Sequence, residues 1–226
     1  MKSLFKPQAV LFDLDGTLAD TAPDLAFALN ETLEHFGREP LAYEEIRPVV
    51  SHGGIALIKL GFGLSPDAAE FETLRQHLLD VYRDNLCRET RLFPGMPEVL
   101  DALESEDVAW GVVTNKPAWL TDPLVEALGI DSRTPAIVSG DTCERRKPFP
   151  DPIHHACTLL ERPAEDCWYV GDAGRDMQAG RAAGCLNIGA TFGYIHPDDP
   201  VEDWDSDVDI TSPLELVELI RQVSCG

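Results

Sequence analysis

The hydrophobic pattern of this chain changes period twice. Ala9-Val10-Leu11-Phe12 is a short apolar run that stops abruptly at Asp-Leu-Asp-Gly-Thr. Such a run predicts a strand buried on both faces, with polar groups gathered at its C-terminal end. Similar runs recur at 110–113, 136–138, 168–170 and 186–188, separated by helical patterns at 123–128, 153–160 and 177–183. Strand alternating with helix predicts an α/β fold built on a doubly wound parallel sheet.

Residues 21–92 break that rhythm, with helical patterns and no convincing strand. Leu25, Leu29, Leu33 and Phe36 fall on one helical face, and Gly37 is the expected stop. Ser65-Pro66-Asp67 reads as an N-cap and first turn, followed by the apolar stripe Phe71, Leu74, Leu78 and Val81. Leu92-Phe93-Pro94-Gly95 returns the chain to the sheet. The expected organisation is therefore a core of 1–20 and 93–226, interrupted after its first strand by a helical cap, 21–92. Ligands bind at the C-terminal edge of a parallel sheet, so an insert leaving from that edge is a candidate lid. The acidic stretch 198–209 reads as a solvated loop before a last helix at 213–223.

Composition narrows the partners. Forty acidic residues stand against 18 basic ones, a net charge of −22. That field repels phosphate backbones and argues against nucleic acid as a partner. A small anionic substrate would need a metal or local cations to reverse it. The six cysteines, Cys87, Cys143, Cys157, Cys167, Cys185 and Cys225, form no C-x-x-C pair. They read as ordinary thiols of a reducing compartment. Residues 1–8 lack the apolar core of a signal peptide, and no stretch is long enough to span a membrane. The expectation is a cytoplasmic protein with no membrane partner.

The candidate chemistry lies where the strands end. Asp13 and Asp15 close the first strand, and Gly16 permits a tight turn that brings both carboxylates to one pocket. Like charges so close call for a cation or a proton, and Mg²⁺ prefers oxygen ligands. Asp172 follows the run 168–170, and Asp176 lies four residues on in the first helical turn. Thr114 and Asn115 end another strand and offer donors for phosphate oxygens. Lys147 sits in a prolyl loop, Lys147-Pro148-Phe149-Pro150, within the main basic cluster. Singly, these also read as an acidic turn, a helix-dipole aspartate, an N-cap and a solvated loop. Four of them in order at the ends of successive strands outweigh that.

Together, Asp13-Leu14-Asp15-Gly16-Thr17-Leu18, Thr114-Asn115, Lys147-Pro148-Phe149-Pro150 and Gly171-Asp172 through Asp176 resemble the four motifs of the haloacid dehalogenase superfamily over essentially the whole chain. The resemblance implies a Rossmann-like core with a cap of that family's first type. It implies Asp13 as nucleophile and Asp15 as general acid and base. It also implies a Mg²⁺ held by Asp13, the Asp15 carbonyl and Asp172 with Asp176 in support, and phosphoryl oxygens bound by Thr114, Asn115 and Lys147. Ala173 stands where relatives often carry a hydroxyl, which leaves the metal ligands untouched. An acid at Asp15 separates this chain from dehalogenases and from phosphonoacetaldehyde hydrolases, and points to a phosphomonoesterase. A sugar-phosphate mutase or a catalytically silent binding protein would share the motifs.

The expected partner is a small phosphate ester. Arg47, His52 and Lys59 in the cap are candidate contacts to its carboxylate or hydroxyls. Gly53-Gly54 would otherwise be a plain turn with His52 at the surface. Segments 110–117, 193–197 and 212–216 give the chain a resemblance to bacterial phosphoglycolate phosphatases. Within that group they are similar to the N-acetylmuramic acid 6-phosphate phosphatases.

Overall fold

The computed structural model describes residues 3–224; Cys225 lies outside the described residues. Its strands are β1 (Ala9–Phe12), β2 (Ala19–Asp20), β3 (Arg91–Leu92), β4 (Ala109–Val113), β5 (Ile137–Val138), β6 (Cys167–Gly171), β7 (Leu186–Ala190) and β8 (Val208–Ile210). Six form one parallel sheet in the order β5-β4-β1-β6-β7-β8, while β2 and β3 pair antiparallel.

β1 shows why its sequence is apolar throughout. Its side chains alternate between two faces. Val10 and Phe12 join the large cluster under Val99, Leu103, Leu216 and Ile220, whereas Ala9 and Leu11 pack with Ile153, Ala156 and Ala179 on the other side. With both faces covered by helices, no polar residue fits before Asp13.

The helices follow the same logic. α1 (Ala22–His35), a short α2 (Tyr43–Ile46), α3 (Gly53–Phe62) and α4 (Phe71–Asp84) belong to the insert. α5 (Met96–Ser105), α6 (Ala118–Ala127), α7 (Asp151–Leu160), α8 (Gly174–Ala183) and α9 (Leu214–Ser224) complete the core. Insert side chains such as Leu29, Leu57 and Leu78 are in the same apolar cluster as β1, so cap and core share one continuous interior. Cys157, Cys167 and Cys185 are buried and unbridged, and Cys87 and Cys143 are half-buried.

Four sequence expectations need correction. The stretch 198–209 is not simply a loop: it holds a 3₁₀ turn, Val201–Asp203, and the start of β8. As an edge strand β8 buries Ile210 and exposes Asp209, so its pattern looks like solvated chain. The insert region does contain a strand, β3, too short to show a period. α4 begins at Phe71, and the Ser65 hydroxyl turns back onto Asp67 in a local turn instead of capping that helix. Phe36 caps α1 and lies 40% exposed against His35 and Phe62. The buried face of α1 therefore stops at Leu33.

Candidate active site

Asp13 is fixed by the sheet itself. Its N–H still donates to the Val170 carbonyl at 2.9 Å, one step beyond the β1–β6 ladder. Its Oδ1 accepts the Leu14 N–H at 2.6 Å and faces the Lys147 ammonium at 2.9 Å. Lys147 is fully buried, and its ammonium also reaches Asp176 Oδ1 (2.8 Å), the Val113 carbonyl (2.8 Å) and the Tyr169 hydroxyl (3.0 Å). A cation so enclosed is held at one point beside Asp13.

Three carboxylates converge here. Asp13, Asp172 and Asp176 present oxygens within 4.8 Å of one another, all buried. Asp172 Oδ2 accepts the Ser51 hydroxyl (2.8 Å) and the Tyr194 N–H (2.9 Å). Asp172 Oδ1 and Asp176 Oδ2 have no hydrogen-bond partner among the described residues. Gly16, at φ +84°, is required at this point, since a Cβ would overlap the Asp172 carboxylate.

The charge balance reflects this crowding. Burial first, then the fields of Asp13 and Asp176, push Asp172 up to about 8. Burial and Asp176 push Asp13 up to about 6 against the pull of Lys147 and Arg175. Burial works against Asp176 too, but Lys147 and Arg175 outweigh it and hold that carboxyl below its ordinary range. Two carboxylates that resist ionisation beside orphaned oxygens fit a hard divalent cation, which would take the place of the protons. Asp13, Asp172 and Asp176 would hold it. The Asp15 carbonyl accepts the Ser51 hydroxyl at 3.3 Å, beside Asp172.

The remaining motif residues line the same cavity of about 400 Å³, which lies between core and cap. Asp15 Oδ1 accepts the Thr21 hydroxyl (2.6 Å) and the Lys116 ammonium (2.7 Å). The Thr114 oxygen accepts the Lys116 N–H at 3.1 Å, which leaves its own hydrogen to donate. The Asn115 amide nitrogen donates to the Lys147 carbonyl at 3.0 Å, while its oxygen is buried with no partner among the described residues.

Of the cap candidates, His52 lines the cavity, its ring 4.6 Å from His196 across the seam. Burial, then Arg175 and His196, lower its pKa and favour the neutral ring. Arg47 and Lys59 are not among the lining residues. The Arg47 guanidinium donates to the carbonyls of Gly193 (3.0 Å) and Phe192 (3.2 Å) and lies 4.8 Å from the Tyr194 ring centre. It clasps the cap to the loop after β7. Lys59 is exposed on α3.

Sequence reasoning passed over several charged groups. Arg175 lies inside the fourth motif and reaches Asp13 Oδ2 at 3.7 Å. Lys116 directly follows Asn115, so proximity to the motif was the available signal. Arg75 and Tyr82 line the cavity from α4, on a second face beside its core stripe.

The pattern shared by haloacid dehalogenase-like hydrolases matches residues 10–190. The chain is 39% identical over 218 residues to the N-acetylmuramic acid 6-phosphate phosphatase of Pseudomonas aeruginosa, covering 96% of each chain. It is 40% identical over 212 residues to a phosphoglycolate phosphatase of Xanthomonas campestris pv. campestris, covering 94% of this chain and 96% of that one. A solved structure described as a "predicted phosphoglycolate phosphatase" from Haemophilus somnus 129pt superposes with a TM-score of 0.83 at 27% identity, covering 97% of this chain and 99% of that one. No helix among the described residues is long and apolar enough to cross a membrane. The chain belongs to the haloacid dehalogenase-like hydrolases and is one of their phosphatases, a phosphoric monoester hydrolase.

Proposed function

We propose that this chain is a Mg²⁺-dependent phosphatase of a small sugar phosphate, N-acetylmuramic acid 6-phosphate, working through an aspartyl-phosphate on Asp13. The observation that carries the chemistry is the buried Asp13 carboxylate held against Lys147 at 2.9 Å, beside the two orphaned oxygens of Asp172 and Asp176.

In this reading an Asp13 oxygen attacks phosphorus and the ester oxygen departs. Asp15 delivers a proton to that oxygen, then removes one from the water that attacks the aspartyl-phosphate and frees Asp13. Lys147, Thr114 and Asn115 bind the phosphoryl oxygens. Bound at the three aspartates, Mg²⁺ would neutralise charge on the transferring group. Positioning and neutralisation supply most of the rate in such reactions.

The substrate rests on likeness and on space. The relative from Pseudomonas aeruginosa supports the sugar acid, and the relative from Xanthomonas supports 2-phosphoglycolate. A cavity of about 400 Å³ favours the larger molecule, because 2-phosphoglycolate would leave most of it to water. Phosphate release with Mg²⁺ across a panel of monoesters containing both compounds tests the assignment. Preference for 2-phosphoglycolate would overturn the substrate, and isomerised sugar phosphate without free phosphate would indicate a mutase. No turnover of any ester would indicate a silent binding protein.

A further inference from the structure

Arg75, Leu79 and Tyr82 all line the cavity from α4. Their spacing of four and then three residues places them on one face of the helix. The two ends of this stripe differ in kind.

Tyr82 marks the end at the chemistry. Its ring centre lies 4.8 Å from the Lys116 ammonium, which is itself bonded to Asp15. The Tyr82 side chain is completely buried, with the Lys116 ammonium as the charge facing its hydroxyl. Burial pushes that hydroxyl up to about 12, so it stays a neutral donor.

Arg75 marks the far end. Seven residues at the helical rise separate the two positions by about 10 Å along the axis. The Arg75 stem runs beside Gly54, where an added Cβ would sit 3.8 Å from Arg75 Cγ and 3.5 Å from Leu79 Cδ2. Among the described residues its guanidinium pairs only with Glu72, at 2.7 Å, and that side chain is 71% exposed, so the pair is screened and readily exchanged. From the core side Arg146 lines the same cavity, with no ion pair among the described residues. Lys147 and the metal site already answer the charge of the phosphoryl group. Two further guanidinium groups lining the cavity, in a chain of net charge −22, call for a second anion.

We infer that the α4 stripe gauges the substrate, with Arg75 pairing a second anionic group toward the end of the stripe that lies about 10 Å along the helix from Tyr82. This rests on the phosphatase reading and adds a length requirement to it. A carboxylate across a sugar ring from the phosphate meets the requirement, with Leu79 against the ring. The carboxylate of 2-phosphoglycolate, one methylene from the ester oxygen, does not.

The test is a ratio of kcat/KM within matched pairs. One pair is N-acetylmuramic acid 6-phosphate and N-acetylglucosamine 6-phosphate, which lacks the lactyl acid. The other is a hexose 1,6-bisphosphate and the hexose 6-phosphate, which separates a second phosphate from a carboxylate. Wild-type enzyme favours the doubly anionic member of at least one pair by tenfold or more. Arg75→Gln collapses that preference by about tenfold to a hundredfold, mainly through KM, and Arg75→Lys retains part of it. Equal ratios in wild type and Arg75→Gln for both pairs overturn the inference, and wild-type turnover of the sugar acid would then leave the phosphatase reading standing. A wild-type enzyme that releases phosphate from none of the four overturns the sugar-phosphate assignment, and the inference with it.

Discussion

The Lys116 ammonium lies 2.7 Å from Asp15 Oδ1, and the two side chains are only 6% and 14% exposed. Burial opposes the ammonium form, but Asp15 and Tyr82 more than restore it and raise the Lys116 pKa. The group assigned to carry the proton is therefore anchored to a fixed cation on the core and, through Tyr82, to the cap. Lys116→Met leaves Asp15 with Thr21 alone. It should lower kcat by about tenfold or more with little change in KM, and Lys116→Arg should recover part of the loss. Steady-state kinetics on any turned-over ester checks this.

Asp13→Asn should remove turnover, by at least about a thousandfold in kcat. It should not cost stability, because it takes one charge from three crowded carboxylates. A melting temperature equal to or above wild type, together with lost activity, is the expected pair of readings. Normal activity would refute covalent catalysis. Asp15→Asn should be severely impaired, since both proton transfers need it.

The aspartate cluster predicts a pH signature for the metal. In the metal-free protein Asp172 and Asp13 hold protons up to about 8 and 6, above their ordinary value of 3.8. A folded pKa raised above the unfolded one contributes stability that is fully present below the unfolded value and lost as pH rises through the folded one. Metal-free stability should thus be eroded between about pH 4 and 8, where a cation can replace the protons. The rise in melting temperature on adding Mg²⁺ should be larger at pH 8 than at pH 5.5. A rise independent of pH would count against these ligands.

Arg47 should behave as a clasp. Arg47→Ala removes two hydrogen bonds to the 192–193 carbonyls and the contact with Tyr194. A loss of about 1–3 kcal/mol in urea unfolding is expected. Effects on kcat/KM should be similar across substrates, whereas a loss confined to acidic substrates would restore it as a substrate contact.

Much of this architecture was legible from apolar runs, because β1, β4, β6 and β7 are buried on both faces and leave continuous signals. Asp13 and Lys147 were legible because both stand in tight sequence motifs. β8 was hidden by its edge position, which leaves Asp209 in solvent. For Arg47 and Lys59 the sequence gives charge and a place in the cap, and neither tells which way a side chain points. Tyr82 is the opposite case: a tyrosine beside an apolar stripe looks like part of that stripe, and only packing sets its ring beside Lys116 and the cavity.

The short β2–β3 pair sets Ala19-Asp20 beside Arg91-Leu92, so the chain departs for the cap and comes back at a single clip. A segment whose ends lie side by side can be exchanged whole without stretching what remains. Here that segment holds Arg75 and Tyr82, while Asp13, Asp15, Lys147 and Asp172 stay behind. New preferences can therefore arise by grafting a different cassette onto an unchanged engine, provided the graft brings its own half of the shared apolar interior.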